Sequence, residues 1–214
     1  MLNKNKITTL FLDIGGVLLS DGWGHEFRQL AVEKFDLAKQ EMEERHSIMF
    51  ETYEEGRMTL DEYLNRVVFY TRRDFSRDEF REYMFGLSTA NCEMIDFIIK
   101  LKREYQLKVV AVSNEAKELN GFRIHTFKLN SFIDFFISSC YVHIRKPDAT
   151  IFKMALDLAQ VSAEEVVYID DVRVFTNIAT DLGIKSICHT GWQTTAAILA
   201  DMGLSVETNK LIHA

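Results

Sequence analysis

Five short runs along the chain are apolar and rich in β-branched residues: Ile7–Asp13, Leu107–Ser113, Phe135–Ser138, Val166–Asp170 and Ile184–Cys188. Each reads as a strand buried on both faces. Between the later runs the period becomes helical. In Glu93–Glu104, Met94, Phe97, Ile98 and Leu101 recur at i, i+3, i+4 and i+7. In Thr150–Gln160 the set is Ile151, Phe152, Ala155, Leu156 and Ala159. In Val172–Leu182 it is Phe175, Ile178, Ala179 and Leu182, followed by Gly183 as a helix stop. Strands alternating with helices predict right-handed βαβ units and a parallel sheet.

One stretch breaks the alternation. From Trp23 to Leu87 no strand pattern occurs, and the chain is rich in Glu, Arg, Lys, Phe, Tyr and Met with helical spacing, as in Leu60, Tyr63, Leu64, Val67 and Val68. This predicts an all-helical insert between the first two core strands. The fold class is therefore α/β, a Rossmann-like parallel sheet with an inserted helical cap. The boundaries are 1–19 and 91–214 for the core and 20–90 for the cap. Two glycines in Ser20-Asp21-Gly22-Trp23-Gly24 suit a hinge at the junction.

Composition narrows the partners. With 214 residues, 47% of them hydrophobic, the chain buries one substantial core with room for a small accessory domain. A formal charge of −7 argues against nucleic acid. It leaves an anionic substrate open, because a lysine or a bound cation reverses the field inside a pocket. Met1–Lys6 is polar and lacks the apolar region of a secretion signal. No apolar run approaches the roughly 18 residues that span a bilayer. Cys92, Cys140 and Cys188 lack Cys-x-x-Cys spacing and read as free thiols in a reducing compartment. A cytoplasmic protein without a membrane partner is expected. Monomer and homodimer both stay open, since the insert's aromatics would serve a dimer contact as well as a pocket.

The chemistry gathers at strand ends. Asp13 ends the first strand, Ser113 the second and the pair Asp170-Asp171 the fourth. In open parallel sheets, ligands sit beyond the carboxyl ends of the strands, where strand order reverses. Clustered carboxylates repel, so a cation is their natural neutraliser. Oxygen-only ligands suit Mg²⁺, which keeps several waters and takes one or two carboxylates plus phosphate oxygens. A carboxylate beside Mg²⁺ and a phosphoryl group can attack in line to give an aspartyl-phosphate. Ser113 and Asn114 suit hydrogen bonding to the phosphoryl oxygens. Lys146, in Arg145-Lys146-Pro147-Asp148, supplies counter-charge. Pro147 biases it to extended backbone and suits the first position of the Ala149–Gln160 helix.

These segments resemble the four ordered motifs of the haloacid dehalogenase-like hydrolases: Phe-Leu-Asp13-Ile-Gly15-Gly16-Val17-Leu18, Val-Ser113-Asn114, Arg-Lys146-Pro147-Asp148 and Val-Tyr-Ile-Asp170-Asp171. The helical insert resembles the family's first type of cap, and Glu55–Glu62 resembles a common cap segment. The resemblance covers essentially the whole chain and implies an Mg²⁺-dependent phosphatase acting on a small phosphorylated metabolite. It implies that Asp13 is nucleophile and metal ligand, that Gly15 gives the metal its carbonyl, and that Asp171 faces the metal with Asp170 beside it. Ser113, Asn114 and Gly16 would hold the phosphoryl group, and Lys146 would orient Asp13 and phosphate.

Two positions depart from that pattern. Family phosphatases usually carry a second Asp where Gly15 stands, to protonate the leaving oxygen and then activate water. Losing a general acid-base typically costs about 10²–10⁴ in rate, least for leaving groups already stable as anions. An anomeric sugar phosphate, an acyl phosphate or an aryl phosphate therefore fits better than a simple alkyl phosphate. A branch of the family acting on sugar 1-phosphates also reads Asp-x-Gly, so the gap does not by itself mean inactivity. Asp21 or His25, near the junction, is the candidate substitute. Phe175 replaces a usual Asp or Asn that supports the metal shell, and Asn177 would point elsewhere on the helix. These departures motivate an alternative, a weak or inactive member that binds a metabolite or protein. Carbon–halogen hydrolysis by Asp13 is a third reading, disfavoured because it has no use for Asp170-Asp171.

Overall fold

The computed structural model describes residues 6–206. The reading of Met1–Lys6 as free of a leader therefore falls almost wholly outside the described residues. The strands are β1 (Thr9–Leu12), β2 (Lys108–Ser113), β3 (Phe135–Ser138), β4 (Val166–Asp170) and β5 (Lys185–Cys188). They form one parallel sheet in the order β3-β2-β1-β4-β5. Three begin one or two residues later than their apolar runs suggest. Residues of β1 alternate between the two faces, as the two-residue strand period demands. Leu10 and Leu12 pack with Met94, Ile98 and Leu199, while Phe11 packs with Phe152, Ala155 and Tyr168.

Ten α-helices accompany the sheet among the described residues. Five lie between β1 and β2, and the first four of them make up the insert: α1 (His25–Lys34), α2 (Lys39–Glu54), α3 (Leu60–Val67) and α4 (Arg77–Gly86). The others are α5 (Cys92–Tyr105), α6 (Lys117–Thr126), α7 (Ser139–Val142), α8 (Thr150–Ala159), α9 (Arg173–Asp181) and α10 (Trp192–Asp201). The helices α5, α8 and α9 match the periodic segments, and Gly183, at φ +85°, ends α9 as expected. Helices α6, α7 and α10 carry no strong periodic signal and were not expected. The α8 helix starts at Thr150, so Pro147 lies ahead of it and does not fill its first position. Asp148 instead accepts a hydrogen bond from the Thr150 N–H at 2.8 Å.

The α1–α4 insert has its own apolar cluster. On α3, Leu60, Tyr63, Leu64 and Val67 are all buried, and each such side chain contributes roughly 1.5–3 kcal/mol of transfer free energy. Thr59 and Glu62 close a capping box at the start of α3, a signal already present in the spacing Thr-x-x-Glu. The chain enters and leaves the insert through paired segments. Ser20 N–H donates to Thr89 O at 2.8 Å, and Asn91 N–H donates to Leu18 O at 2.9 Å.

The insert lies against the core along a polar seam. The Arg145 guanidinium pairs with Glu54 at 3.0 Å and Glu51 at 3.3 Å. Ser139 donates its hydroxyl to Glu54 O, His143 Nδ1 donates to Glu55 O, and Leu60 N–H donates to Glu118. Between these, Gly56 at φ +67° has no room for a side chain. A Cβ there would stand 2.1 Å from the Cys140 carbonyl oxygen.

Inside the insert, Tyr63 joins two elements. It accepts from Trp23 Nε1 at 2.8 Å and donates to His46 Nδ1 at 2.7 Å. Burial, aided by the nearby Arg28 charge, lowers the His46 pKa to about 4. An imidazole held neutral when folded but protonated when unfolded stabilises the fold fully above about pH 6.5 and progressively less as pH falls toward 4. Wild type should therefore lose up to about 3 kcal/mol more than His46→Gln between pH 6.5 and 4. Urea unfolding of both proteins across that range measures this, and parallel curves would contradict it.

Candidate active site

Strand order sets the location. The chain lays β2 and β3 on one side of β1 and then crosses to place β4 on the other, so the order reverses between β1 and β4. Asp13 N–H donates to Ile169 O at 2.9 Å, carrying the ladder one residue past β1. Asp13 and Asp170 thus emerge side by side.

Lys146 lies between them. It is completely buried, and its ammonium has three partners, matching its three donors: Asp170 Oδ2 at 2.6 Å, Asp13 Oδ2 at 3.1 Å and the Tyr168 hydroxyl at 3.1 Å. Tyr168 also donates to Asp170 Oδ2, and Val172 N–H donates to Asp170 Oδ1 at 2.7 Å. Asp13 Oδ1 accepts from Ile14 N–H at 2.8 Å. The Phe175 ring lies 5.0 Å from the ammonium, so this departure from the family pattern places a cation–π face on Lys146 where a metal-supporting carboxamide or carboxylate was expected.

The electrostatics are those of a site short of positive charge. Burial pushes the Asp13 carboxyl up to about 8. Lys146 pulls it down and Asp170 pushes it further up. Burial alone would lower the Lys146 pKa, but Asp13 and Asp170 hold it above its ordinary value. Asp171 is raised by burial and by Asp170. One carboxylate oxygen from each of Asp13, Asp170 and Asp171 lies within 4.8 Å of the others. Three carboxylates against one ammonium, two of them raised, form a donor set that fits a hard divalent cation. Both oxygens of Asp170 already accept protein hydrogen bonds, so Asp13 and Asp171 are the freer pair.

The remaining expected residues fall into place unequally. Gly16, at φ +68°, gives Asp171 its position, because a Cβ there would stand 2.2 Å from Asp171 Oδ2. Ser113 is buried, its hydroxyl has no hydrogen-bond partner in good geometry, and it lies near enough to favour the Asp13 carboxylate. Asn114 differs from expectation. Its side chain donates to Lys146 O at 2.9 Å and accepts from Lys146 N–H at 2.8 Å, so its carboxamide is spent on aiming Lys146. Gly15 and Asp21 both line the crevice. His25 does not; it faces Glu43 at 3.7 Å with a largely exposed ring. Asn177 is exposed on α9.

Several contributors carry no motif. Tyr168 was missed, although it stands two residues before Asp170 and so shares its strand face. Arg123 and Glu115 form a fully buried pair at 2.7 Å, and Arg123 also donates to Ser20 O at 2.6 Å. Above the acids the crevice opens into a cavity of about 260 Å³ between core and insert. Trp23, Phe50 and Tyr53 supply its apolar wall, and Arg28, His46 and Arg145 its polar one.

Fold and site together define a haloacid dehalogenase-like hydrolase. The chain belongs to that family, whose model matches residues 19–188. Among curated relatives, flavin mononucleotide hydrolase 1 of Arabidopsis thaliana is 24% identical over 97% of this chain and 82% of its own length. Bifunctional epoxide hydrolase 2 of Sus scrofa is 40% identical over 60 residues, which are 28% of this chain and only 11% of that protein. Among solved structures, a haloacid dehalogenase family enzyme of Bacteroides thetaiotaomicron in complex with magnesium and inorganic phosphate superposes with a TM-score of 0.72. It is 20% identical and covers 88% of this chain and 98% of its own. A dehalogenase superposes with a TM-score of 0.62 at 18% identity, covering 87% of this chain and 85% of its own. Among the described residues, no helix is long and apolar enough to cross a membrane.

Lys146 is the testable keystone of this geometry. Lys146→Met would leave Asp13 and Asp170 facing each other without a counter-charge. It should cost about 3–5 kcal/mol of stability at pH 8. The cost should shrink as pH falls through the raised Asp13 value, because a protonated carboxyl needs no partner. Chemical unfolding at pH 5, 8 and 9.5 measures both quantities, and a cost no larger at pH 9.5 than at pH 5 would refute the arrangement.

Proposed function

We propose that this protein is an Mg²⁺-dependent phosphatase acting on a small phosphorylated metabolite through an aspartyl-phosphate on Asp13. The observation that carries the reading is Lys146, buried with its ammonium between Asp13 and Asp170 while Asp171 stands within ligand distance of both acids. Burying this much charge is costly, and a site that binds and activates an anion gives it a purpose. The magnesium and phosphate complexes of the Bacteroides enzyme and the name of the Arabidopsis relative agree with this reading.

In this reading Asp13 attacks phosphorus with the oxygen not held by Ile14 N–H. Lys146 aims that carboxyl and pulls its burial-raised pKa down, and a divalent cation beside it would favour the ionised, attacking form. Ser113, whose hydroxyl is unpartnered, donates to a phosphoryl oxygen. Asp13 and Asp171 would hold Mg²⁺, with the Gly15 carbonyl beside them, and the cation would neutralise the charge developing on the phosphoryl oxygens. Residues 20–90 form a cap whose aromatic and cationic wall selects the leaving group and keeps water out. A cavity of about 260 Å³ suits a compact metabolite such as a sugar phosphate. The weak-binder alternative rests on Gly15, where the usual acid-base is missing. A dehalogenase leaves the three-carboxylate set without a use.

Phosphate release across a metabolite panel, with and without Mg²⁺, tests this. Wild type should release phosphate from at least one small phosphomonoester only when Mg²⁺ is present, and Asp13→Asn should fall to background. Metal-independent halide release, or release equal in wild type and Asp13→Asn, would overturn it.

A further inference from the structure

We propose that Asp21 is the general acid-base of this active site, reaching in from the linker to the position that Gly15 leaves empty. The inference rests on the phosphatase reading above. If residue 15 carried a Cβ, that atom would lie 3.6 Å from Asp21 Oδ1 and 3.8 Å from Asp21 Cα. The Asp21 carboxylate therefore occupies the neighbourhood into which a side chain at position 15 would project. Asp21 lines the same crevice as Asp13, Lys146 and Asp171, and it is near enough to Asp171 to raise that carboxyl's pKa.

Its place is built. A Cβ on Gly24 would stand 1.8 Å from Asp21 Oδ2, so only glycine at 24 leaves the carboxylate where it is. The backbone on either side of Asp21 is fixed from below by Arg123, a fully buried guanidinium. It holds Ser20 O at 2.6 Å, and it packs so closely under Gly22 that a Cβ there would meet it at 2.5 Å. Among the described residues, Asp21 makes no ion pair or side-chain hydrogen bond of its own. An exposed loop carboxylate with no structural partner, on a backbone held by a buried cation and given room by two glycines, has the features of a preorganised reactive group.

The step balances simply. As an Asp13 oxygen attacks phosphorus, the P–O bond to the leaving group breaks and its electron pair goes to the leaving oxygen. That oxygen takes the Asp21 carboxyl proton and departs as an alcohol. Asp21, now a carboxylate, takes a proton from water as the water oxygen attacks the aspartyl-phosphate. The Asp13–phosphorus bond breaks, returning the Asp13 carboxylate, inorganic phosphate and protonated Asp21. Water is the sole co-reactant.

Leaving-group dependence tests the role. Asp21→Asn should lower kcat/KM for an alkyl phosphate by about 10²–10⁴ but for p-nitrophenyl phosphate by less than tenfold, since nitrophenolate leaves without a proton. With p-nitrophenyl phosphate the variant should also show a stoichiometric burst, because hydrolysis of the aspartyl-phosphate lacks its base. A Cβ at position 15 would make only ordinary contacts, and Gly15→Asp should restore alkyl turnover in the Asp21→Asn background. An equal loss on both substrates, or no loss on either, would overturn the assignment to Asp21. Absence of phosphate release by wild type beyond Asp13→Asn would sink the phosphatase reading itself, which is a separate result.

Discussion

Burying the ammonium of Lys146 is the constraint on which the rest of the active site depends. An isolated buried charge costs several kcal/mol, so the fold must surround it with acceptors. It does so from three directions: Asp13 at the end of β1, and Tyr168 and Asp170 on one face of β4. The parallel register between β1 and β4 makes this convergence possible. Asn114, beyond the end of β2, then grips the Lys146 backbone at both its N–H and its carbonyl. Four distant segments are thus tied through one residue, by its ammonium and its backbone. The same arrangement leaves excess negative charge at the crevice mouth, where Asp171 is exposed, and so creates the demand for a cation.

A second buried cation organises the other half of the crevice. Arg123 pairs with Glu115 in the core and holds the linker at Ser20. The linker is therefore not a loose tether. Its glycines act less as a flexible hinge than as positions of close approach, Gly22 over Arg123 and Gly24 beside Asp21. Arg145, next in sequence to Lys146, reaches the opposite way to Glu51 and Glu54 on α2. Adjacent residues of one motif thus face the chemistry and the insert, which couples the seam to the reactive centre.

Much of this was legible in the residues. The buried strands, the helices α5, α8 and α9 and the helical insert follow from hydrophobic period, because burial on defined faces leaves a repeating trace. Asp13, Ser113, Asp170 and Asp171 were legible because strand ends in a parallel sheet share one edge, and Lys146 because their clustered acids call for a counter-charge. The helix α6 escaped notice because its buried positions include Asn120 and Arg123, polar residues that period analysis counts as surface. The side-chain partner of Asn114 was not legible for a related reason: a carboxamide suits a phosphoryl oxygen or a backbone equally well, and only proximity to the Lys146 peptide decides between them.

The sequence by itself determined which residue types meet at the sheet edge, and with them the family and the charge imbalance of the site, since these depend on strand order and local pattern. Tertiary structure alone decided the partners of the long and flexible groups. Whether Arg123 lay in solvent or under a linker, whether Phe175 faced a metal or an ammonium, and whether Asp21 or His25 turned toward Gly15 depended on approaches across segments far apart in the chain. Such contacts are set by packing in three dimensions, and no period or spacing along one dimension encodes them.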